Sequence, residues 1–510
     1  MKLPIGIQTF SEIRENGYQY IDKTQQIHRI LNRGKYFFLS RPRRFGKSLL
    51  ISTIKSIYEG QKNLFEDLWI MDHWDWSKKH PVIHIQFSKS DYQAKGLAGA
   101  ILEELAYNGL QLGITLKATT IKSRFLELIH KASQKGKVVI LVDEYDKPII
   151  DYLEDLPQAN ENRNILKSFY SILKDSDPFL AFVFITGVSR FARTSIFSDL
   201  NNLQNLTMDF EATDLLGITY EEVQHYFDER IATLATKNDT SKSALMQQMQ
   251  RHYNGYSWDG NIKLYNPFSL LSFLQSGRFS NYWFETGTPT FLVNAMRQEK
   301  DFALNELTVS EEAIDDYELD NLNVIAVLFQ TGYLTIKKQL FGGLYLLGYP
   351  NYEVQTSLEE RLLNAYTHDK KERGKVYAFY LTEALKQNDI PKCINIINTV
   401  FSTIPANLWQ KDNEAFYHAL IHLTFSLAGV FVQSEVNSAN GRLDALVETG
   451  SHIFIFEFKL DKSAEEAIQQ IQEKQYFRPY QNSDKQRIGI GINFSKAKKE
   501  VADYKIKKFD

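Results

Sequence analysis

An apolar run that breaks into a basic, glycine-bearing loop and reopens as a helix leaves a chain few folds to choose from. Here Tyr36-Phe37-Phe38-Leu39 leads into Arg41-Pro42-Arg43-Arg44-Phe45-Gly46-Lys47-Ser48, and Leu49 opens an amphipathic segment. An unbroken apolar strand is buried on both faces, which places the run in a parallel sheet covered by helices. The loop's backbone N–H groups and the positive end of the helix then face one point, where phosphates can sit. Lys47 would reach the β and γ phosphates of ATP, and Ser48 would offer its hydroxyl to Mg²⁺. The usual form of this loop has a glycine five places before Gly46 to ease the turn, and Arg41 stands there instead.

Further strands are predicted over 82–87, 138–142 and 182–186, with a weaker one over 206–210, each strong run read as lacking a regular polar alternation. The third run, ending at Val142, is followed directly by Asp143-Glu144. At the carboxyl edge of a parallel sheet, Asp143 can hold Mg²⁺ through water and Glu144 can polarise an attacking water. Strands also end in acids without catalytic purpose, and it is the phosphate loop upstream that favours the chemical reading. The fourth run ends in Thr186-Gly187-Val188-Ser189-Arg190, where Thr186 or Ser189 could sense the γ phosphate. Arg190 and Arg193 could offset transition-state charge, although sheet-end or surface roles suit these arginines as well.

The chain has 510 residues, more than one core usually serves, so two or three domains are expected. Its net charge of −3 gives no global argument for nucleic acid, and residues 412–510 hold no basic excess. Any such contact must come from local patches, of which Lys496, Lys498, Lys499, Lys505, Lys507 and Lys508 form one, unless they are simply a solvated face. A single cysteine, Cys393, excludes an intrachain disulfide and a cysteine-clustered zinc site. Pro4, Glu12 and Glu15 interrupt the place of a signal peptide, and no apolar run approaches a membrane span of ~18 residues. A cytoplasmic protein with no membrane partner is expected.

Thr219-Tyr220-Glu221-Glu222 reads as a capping box that opens a helix. Residues 236–350 are mostly helical, with a helix over 321–330 followed by two short strands around Gly342-Gly343, the order of a winged-helix-like lid. Helical character continues to about 410. Beyond it the pattern is a helix over 414–427, strands over 430–435, 443–448 and 453–458, a helix over 464–477 and a strand over 487–492. Within this second α/β region, Gly441-Arg442-Leu443-Asp444 is followed after twelve residues by Glu457-Phe458-Lys459. If the two segments pair, Asp444 and Glu457 meet, and strand periodicity puts Lys459 on the same face as Glu457. Hard oxygen ligands with a cation beside them suit Mg²⁺-dependent phosphodiester hydrolysis. Glu414 on the upstream helix is a further metal-ligand candidate, Glu435 a supporting acid, and Gln470 a group able to reach water or phosphate.

The runs Arg41 to Ser48, Asp143-Glu144-Tyr145-Asp146-Lys147-Pro148 and Ile185 to Phe191, with Tyr20-Ile21-Asp22-Lys23-Thr24 upstream, resemble the bacterial AAA-ATPase-like family over roughly residues 1–290. In that family an arginine-rich loop in place of the first glycine is normal. The carboxyl-terminal pattern resembles the PD-(D/E)xK nuclease superfamily over about 375–510. Together these imply an α/β protein with a P-loop parallel-sheet ATPase domain over 1–235, a helical connector over 236–374 and a restriction-endonuclease-like α/β domain over 375–510. The nucleotide contacts implied are Arg41, Arg43, Arg44, Phe45, Gly46, Lys47, Ser48, Asp143, Thr186 and Arg190, with Ser48 and Asp143 on Mg²⁺ and Glu144 catalytic. In the nuclease-like part the implied catalytic residues are Asp444, Glu457, Lys459 and Gln470, with Glu414, Asp444 and Glu457 on metal. The expected function is ATP hydrolysis coupled to a Mg²⁺-dependent nuclease acting on nucleic acid, DNA ahead of RNA, with a homo-oligomer allowed. The rival is a nucleotide-dependent switch whose terminal domain binds nucleic acid or protein without cutting.

Overall fold

A computed structural model describes residues 1–509 other than 190–195, 198–199, 201, 284–291, 293–295, 297–303, 305, 316–322, 368–373, 405–419, 421–422, 426–430 and 439–440, and it leaves side chains undescribed at 366–367, 375 and 431–443. The chain divides into two compact units, one of Met1–Gly287 with Asn305–Val354 and one of Thr288–Leu304 with Gln355–Asp510. The segment expected as a connector is thus shared between them, its helix-and-hairpin portion lying in the first unit. Among the described residues no helix is long and apolar enough to cross a membrane.

The first unit is built on a parallel five-stranded sheet of β1 (Tyr36–Ser40), β2 (Val82–Gln86), β3 (Val138–Asp143), β4 (Leu180–Gly187) and β5 (Gln204–Asn205), in the order β2-β3-β4-β1-β5. β1 and β3 are buried at every position and β4 at all but one, as strands covered on both faces require. Because β4 lies between β1 and β3, the loops leaving those two strands open on either side of the end of β4. The register sets Leu39 against Thr186 and Ser40 against Gly187. Helix α1 (Lys47–Tyr58) starts immediately after the loop, with Gly46 at its N-cap in the left-handed region at φ 96°, a conformation that costs glycine little.

The last strand differs from expectation. The pairing with β1 occurs at Gln204–Asn205, and the stretch predicted as strand over 206–210 leaves the sheet to form a 3₁₀ turn at Phe210–Ala212. Arg41 is the physical reason. Its buried guanidinium takes the carbonyls of Thr207 and Ala212, which a continued strand would have turned toward a ladder.

The capping box is present, with Thr219 and Glu222 each satisfying a backbone donor of the helix Tyr220–Lys237. Farther on, helix α2 (Val324–Thr331) precedes the hairpin of β7 (Thr335–Gln339) and β8 (Leu344–Gly348), and an unforeseen strand β6 (Leu307–Ser310) pairs with β8 to give the order β6-β8-β7. Four residues at a sheet edge carry too little alternation to be read in advance.

The second unit holds a mixed sheet in the order β13-β12-β11-β10-β9, comprising β9 (Phe431–Ser438), β10 (Gly441–Glu448), β11 (His452–Leu460), β12 (Gln486–Ser495) and β13 (Glu500–Phe509). β11 and β12 run parallel, so a crossover is required, and helix α3 (Ala464–Glu473) supplies it. Its Ala464, Ala467, Ile468 and Ile471 are buried, and Ile468 and Ile471 pack with Leu446, Ile453, Ile455, Tyr476 and Phe477. The predicted helix over 464–477 stops at Glu473, and Gln475 lies in the left-handed region. Strand β13 went unforeseen because Lys505, Lys507 and Lys508 break any apolar alternation. It is an edge strand held by backbone pairing to β12, and charged side chains there block edge-to-edge association. Lys505 pairs with Glu465, so part of the late lysine run is an ion-paired sheet edge.

Candidate functional site

The loop after β1, the start of α1 and the loop after β3 enclose a cavity of about 490 Å³ in the first unit, lined in part by Arg43, Arg44, Gly46, Lys47, Ser48, Glu144, Asp146 and Lys147. The amino-terminal residues 4–8 and the pair Pro267-Phe268 complete its wall. Lys47 is buried, and its ammonium donates to the carbonyls of Arg41 (2.9 Å) and Pro42 (3.0 Å). Burial lowers its pKa, while Glu144, Asp143 and Asp146 work in the opposite direction. Glu144 is half-buried, and its carboxyl is raised chiefly by desolvation. Its backbone is left-handed at φ 56°, uncommon for a residue with a side chain. Asp143 is buried behind the wall and accepts a hydrogen bond from the Thr186 hydroxyl at 2.9 Å.

Not every expected nucleotide contact converges there. Arg41 turns inward. Its guanidinium donates to the carbonyls of Ser40, Thr207 and Ala212 at 3.0, 2.7 and 3.2 Å and lies 4.0 Å over the Trp258 ring. Phe45 is buried against Tyr256 and Trp258. Arg41 and Phe45 therefore anchor the loop rather than face the cavity, and the tighter glycine turn is replaced by a side-chain clamp. Arg44 lies 3.7 Å over the ring of Phe268, whose helix is capped by Asn266. Arg190, Arg193 and Glu414 fall outside the described residues. Asp22 and Lys23 are structural: Asp22 accepts from the Thr24 and Trp69 amides, and Lys23 pairs with Glu222. Asp146 was missed by sequence reasoning, although the recurrence of acid two places after Asp143-Glu144 was there to be noticed.

In the second unit, the antiparallel pairing of β10 with β11 brings Asp444 beside the end of β11. Asp444 Oδ2 accepts from the amide of Phe458 at 2.7 Å. Lys459 Nζ lies 3.1 Å from Glu457 Oε1 and donates to Gln470 Oε1 at 2.6 Å, so helix α3 reaches the same site. Gln470 also contacts the hydroxyl of Tyr476 at 3.4 Å, a residue no periodic signal marked. Glu457 is 2 % exposed, and among the described residues its Oε2 has no hydrogen-bond partner. Among the described residues no group of three or more His, Cys, Asp or Glu forms a metal cluster. Two hard oxygen donors with one buried oxygen unsatisfied nevertheless fit a divalent cation, which would supply the missing partner.

A family model described as "Predicted AAA-ATPase" matches residues 4–197, and one described as "PD-(D/E)XK nuclease superfamily" matches residues 412–504. A protein of Azotobacter chroococcum mcd 1, described as "Uncharacterized protein in vnfD 5'region", is 37% identical over 523 residues, covering 99% of this chain and 98% of that one. This chain belongs to the AAA-ATPase-like family, with a nuclease-superfamily domain at its carboxyl end. No solved structure matches. The AAA-ATPase-like domain contains the cavity around Lys47, and the nuclease-superfamily domain contains the Asp444 and Glu457 pair.

The nuclease-superfamily site carries a pH signature. Burial, with Asp444 adding to it, pushes the Glu457 carboxyl up to about 7 while Lys459 pulls it down. In an unfolded chain glutamate titrates near ~4.3. Between those values the folded state keeps a proton that the unfolded state has released. The stabilisation from this group is thus fully present below ~4.3 and is lost as pH rises through about 7. Calorimetry of the metal-free protein is expected to show the transition of this unit falling across that window. Glu457→Gln should flatten the profile, and Mg²⁺ or Mn²⁺ should restore stability at its upper end by taking the place of the proton.

Proposed function

We propose that the protein hydrolyses ATP at the Lys47 cavity and that the nucleotide state controls a Mg²⁺-dependent nuclease at Asp444 and Glu457, acting on DNA ahead of RNA. The observation that carries this reading is the gathering of Asp444, Lys459 and Gln470 at the buried Glu457 carboxylate, whose Oε1 meets the Lys459 ammonium and whose Oε2 has no hydrogen-bond partner among the described residues. A charge left in that condition is costly unless an ion or substrate meets it.

At the first site, Lys47 exchanges its two carbonyl partners for the β and γ phosphates, and Arg43 and Arg44 add positive charge at the cavity wall. Ser48 would hold Mg²⁺, with Asp143, behind the wall, reaching it through water, and Glu144 accepts a proton from the attacking water. Desolvation raises the basicity of Glu144, which suits that role. At the second site, Asp444 and Glu457 would hold the cation. A divalent ion there supplies charge stabilisation at the phosphodiester. Lys459, steered by Gln470, presents its ammonium to the same phosphate and balances the developing charge. A reducing, cytoplasmic setting goes with this reading, supported by a lone buried cysteine, Cys393.

The testing experiment follows linear and circular DNA, single-stranded DNA and RNA with Mg²⁺ or Mn²⁺, with and without ATP. We expect metal-dependent cleavage whose rate or substrate affinity shifts with nucleotide by ~5- to 150-fold, the range of ordinary coupling free energies. At equilibrium, nucleic acid should change ATP affinity by the same factor. Nucleotide-dependent binding without cleavage would instead identify a switch. Identical affinities and single-turnover rates in all nucleotide states would leave two independent modules on one chain.

A further inference from the structure

The segment from Asp143 to Asp146 is fastened to the end of β4 at more points than the sheet requires. Asp143 accepts from the Thr186 hydroxyl at 2.9 Å, and the Tyr145 amide donates to the Thr186 carbonyl at 2.9 Å. The Tyr145 hydroxyl donates to the Ser189 carbonyl at 3.2 Å. Asp146, with no solvent exposure, accepts from the amides of Val188 (3.0 Å) and Ser189 (2.6 Å) and from the Ser189 hydroxyl (2.7 Å). Gly187 lies in the middle. A Cβ there would come within 2.5 Å of the Tyr145 ring and 2.8 Å of Asp146 Oδ1, so the two segments touch without room for a methyl group. The Gly187 carbonyl accepts from the Arg41 amide at 3.2 Å, which joins the phosphate loop to the same knot.

Glu144 and Asp146 both line the cavity, but the Asp146 carboxylate is taken up by Val188 and Ser189, and Glu144 is the acid of this stretch that is not tied to the end of β4. It is also the one in the left-handed region, flanked on both sides by fastened residues. Non-glycine residues stay in that region only where their surroundings over-determine them, and such places concentrate at working sites. A surface-exposed turn would not need a buried carboxylate with three donors to hold its neighbour.

We propose that Asp146 is a positioning residue: with Tyr145 and Ser189 it forms a clasp that holds Glu144 in its left-handed backbone conformation and aims its carboxylate at the water that attacks ATP. This rests on the reading of Glu144 as the base for hydrolysis. The clasp acts through Glu144, so its loss affects the chemical step and not the grip of the loop on phosphate. Glutamate held at the wrong angle still leaves Lys47, Arg43 and Ser48 in place.

The test measures ATP hydrolysis by the full-length protein carrying Asp146→Asn, Ser189→Ala, Glu144→Gln and the double change Asp146→Asn with Glu144→Gln. Asp146→Asn should lower kcat by about 10- to 100-fold, the cost of misplacing a catalytic group by a fraction of its reach, with KM and nucleotide affinity unchanged. Ser189→Ala removes one of the three donors and should give a smaller loss of the same kind, which keeps the test open if Asp146→Asn fails to fold. In the Glu144→Gln background, Asp146→Asn should cost nothing further, because groups acting as a unit are not additive. The same fold loss in both backgrounds, or a rise in KM with kcat intact, would show a structural role and overturn the clasp. If Glu144→Gln is inactive while Asp146→Asn and Ser189→Ala both turn over like the parent, the clasp alone falls. Parental hydrolysis by Glu144→Gln would remove the base and the clasp together.

Discussion

Glu457→Gln should abolish metal-dependent cleavage, by about a thousandfold or more, and leave ATP hydrolysis at the parental rate. The magnitude follows from the several kcal/mol of charge stabilisation that a metal ion contributes, with each ~1.4 kcal/mol worth tenfold. An amide keeps the shape of the side chain but gives up the anion, and solvent cannot replace a ligand at the same geometry. Asp444→Asn should behave alike. Lys459→Met should cost roughly 100-fold or more, since it deletes the positive charge beside the scissile group while sparing the carboxylates. The measurement is single-turnover cleavage with Mg²⁺ beside steady-state ATP hydrolysis on the same preparations. Because the Glu457 carboxyl is buried, with one oxygen that has no partner among the described residues and a pKa pushed up to about 7, Glu457→Gln should also leave the metal-free fold at least as stable near neutral pH, which separates lost chemistry from lost structure. Cleavage at the parental rate by any of the three would remove the site assignment.

The second large effect is expected at Lys47. Lys47→Ala should weaken ATP binding by roughly 10- to 150-fold, the worth of a hydrogen bond to a charged group at about 1.5–3 kcal/mol. Titration of nucleotide by calorimetry reads this directly. The ammonium also satisfies the carbonyls of Arg41 and Pro42, so thermal unfolding must accompany the titration to show that the loop persists. Arg41 and Phe45, clamped by Trp258, Tyr256 and the carbonyls of Thr207 and Ala212, should hold the loop in place without Lys47. Unchanged affinity would mean that Lys47 does not meet the phosphates of ATP and that the loop assignment is wrong.

The two sites differ in how readable they were. At the phosphate loop, local order was enough: β1, Gly46 at the helix start and Lys47 behind it follow from a short stretch of chain. For Arg41 the residue type alone was misleading. An arginine in a phosphate loop suggests a phosphate partner, and only the return of residues 207–212 to the end of β1 shows that its partners are carbonyls. Asp146 stayed hidden for a related reason, since its donors come from Val188 and Ser189 just beyond the end of β4. In the second site, strand periodicity correctly placed Glu457 and Lys459 on one face, and the tie to Gln470 came from a helix whose position depends on the parallel pairing of β11 with β12.

The division between what was legible and what was not therefore follows range. Residue order alone carried the α/β class, the buried strands, the glycine-bearing loop that opens α1, the capping box and the proximity of Asp444, Glu457 and Lys459, because each rests on periodicity or on spacing within one or two neighbouring elements. The fold decided which arginines face the cavity, where β5 ends, that a lysine-rich tail pairs as β13, and how Glu144 is held. The arginines, the end of β5 and the hold on Glu144 depend on hydrogen bonds between segments far apart in the chain, as when Asp146 meets Ser189 or Arg41 meets Ala212, whereas β13 pairs with the neighbouring β12. A buried polar group must find its partner somewhere, but its own sequence neighbourhood does not say where.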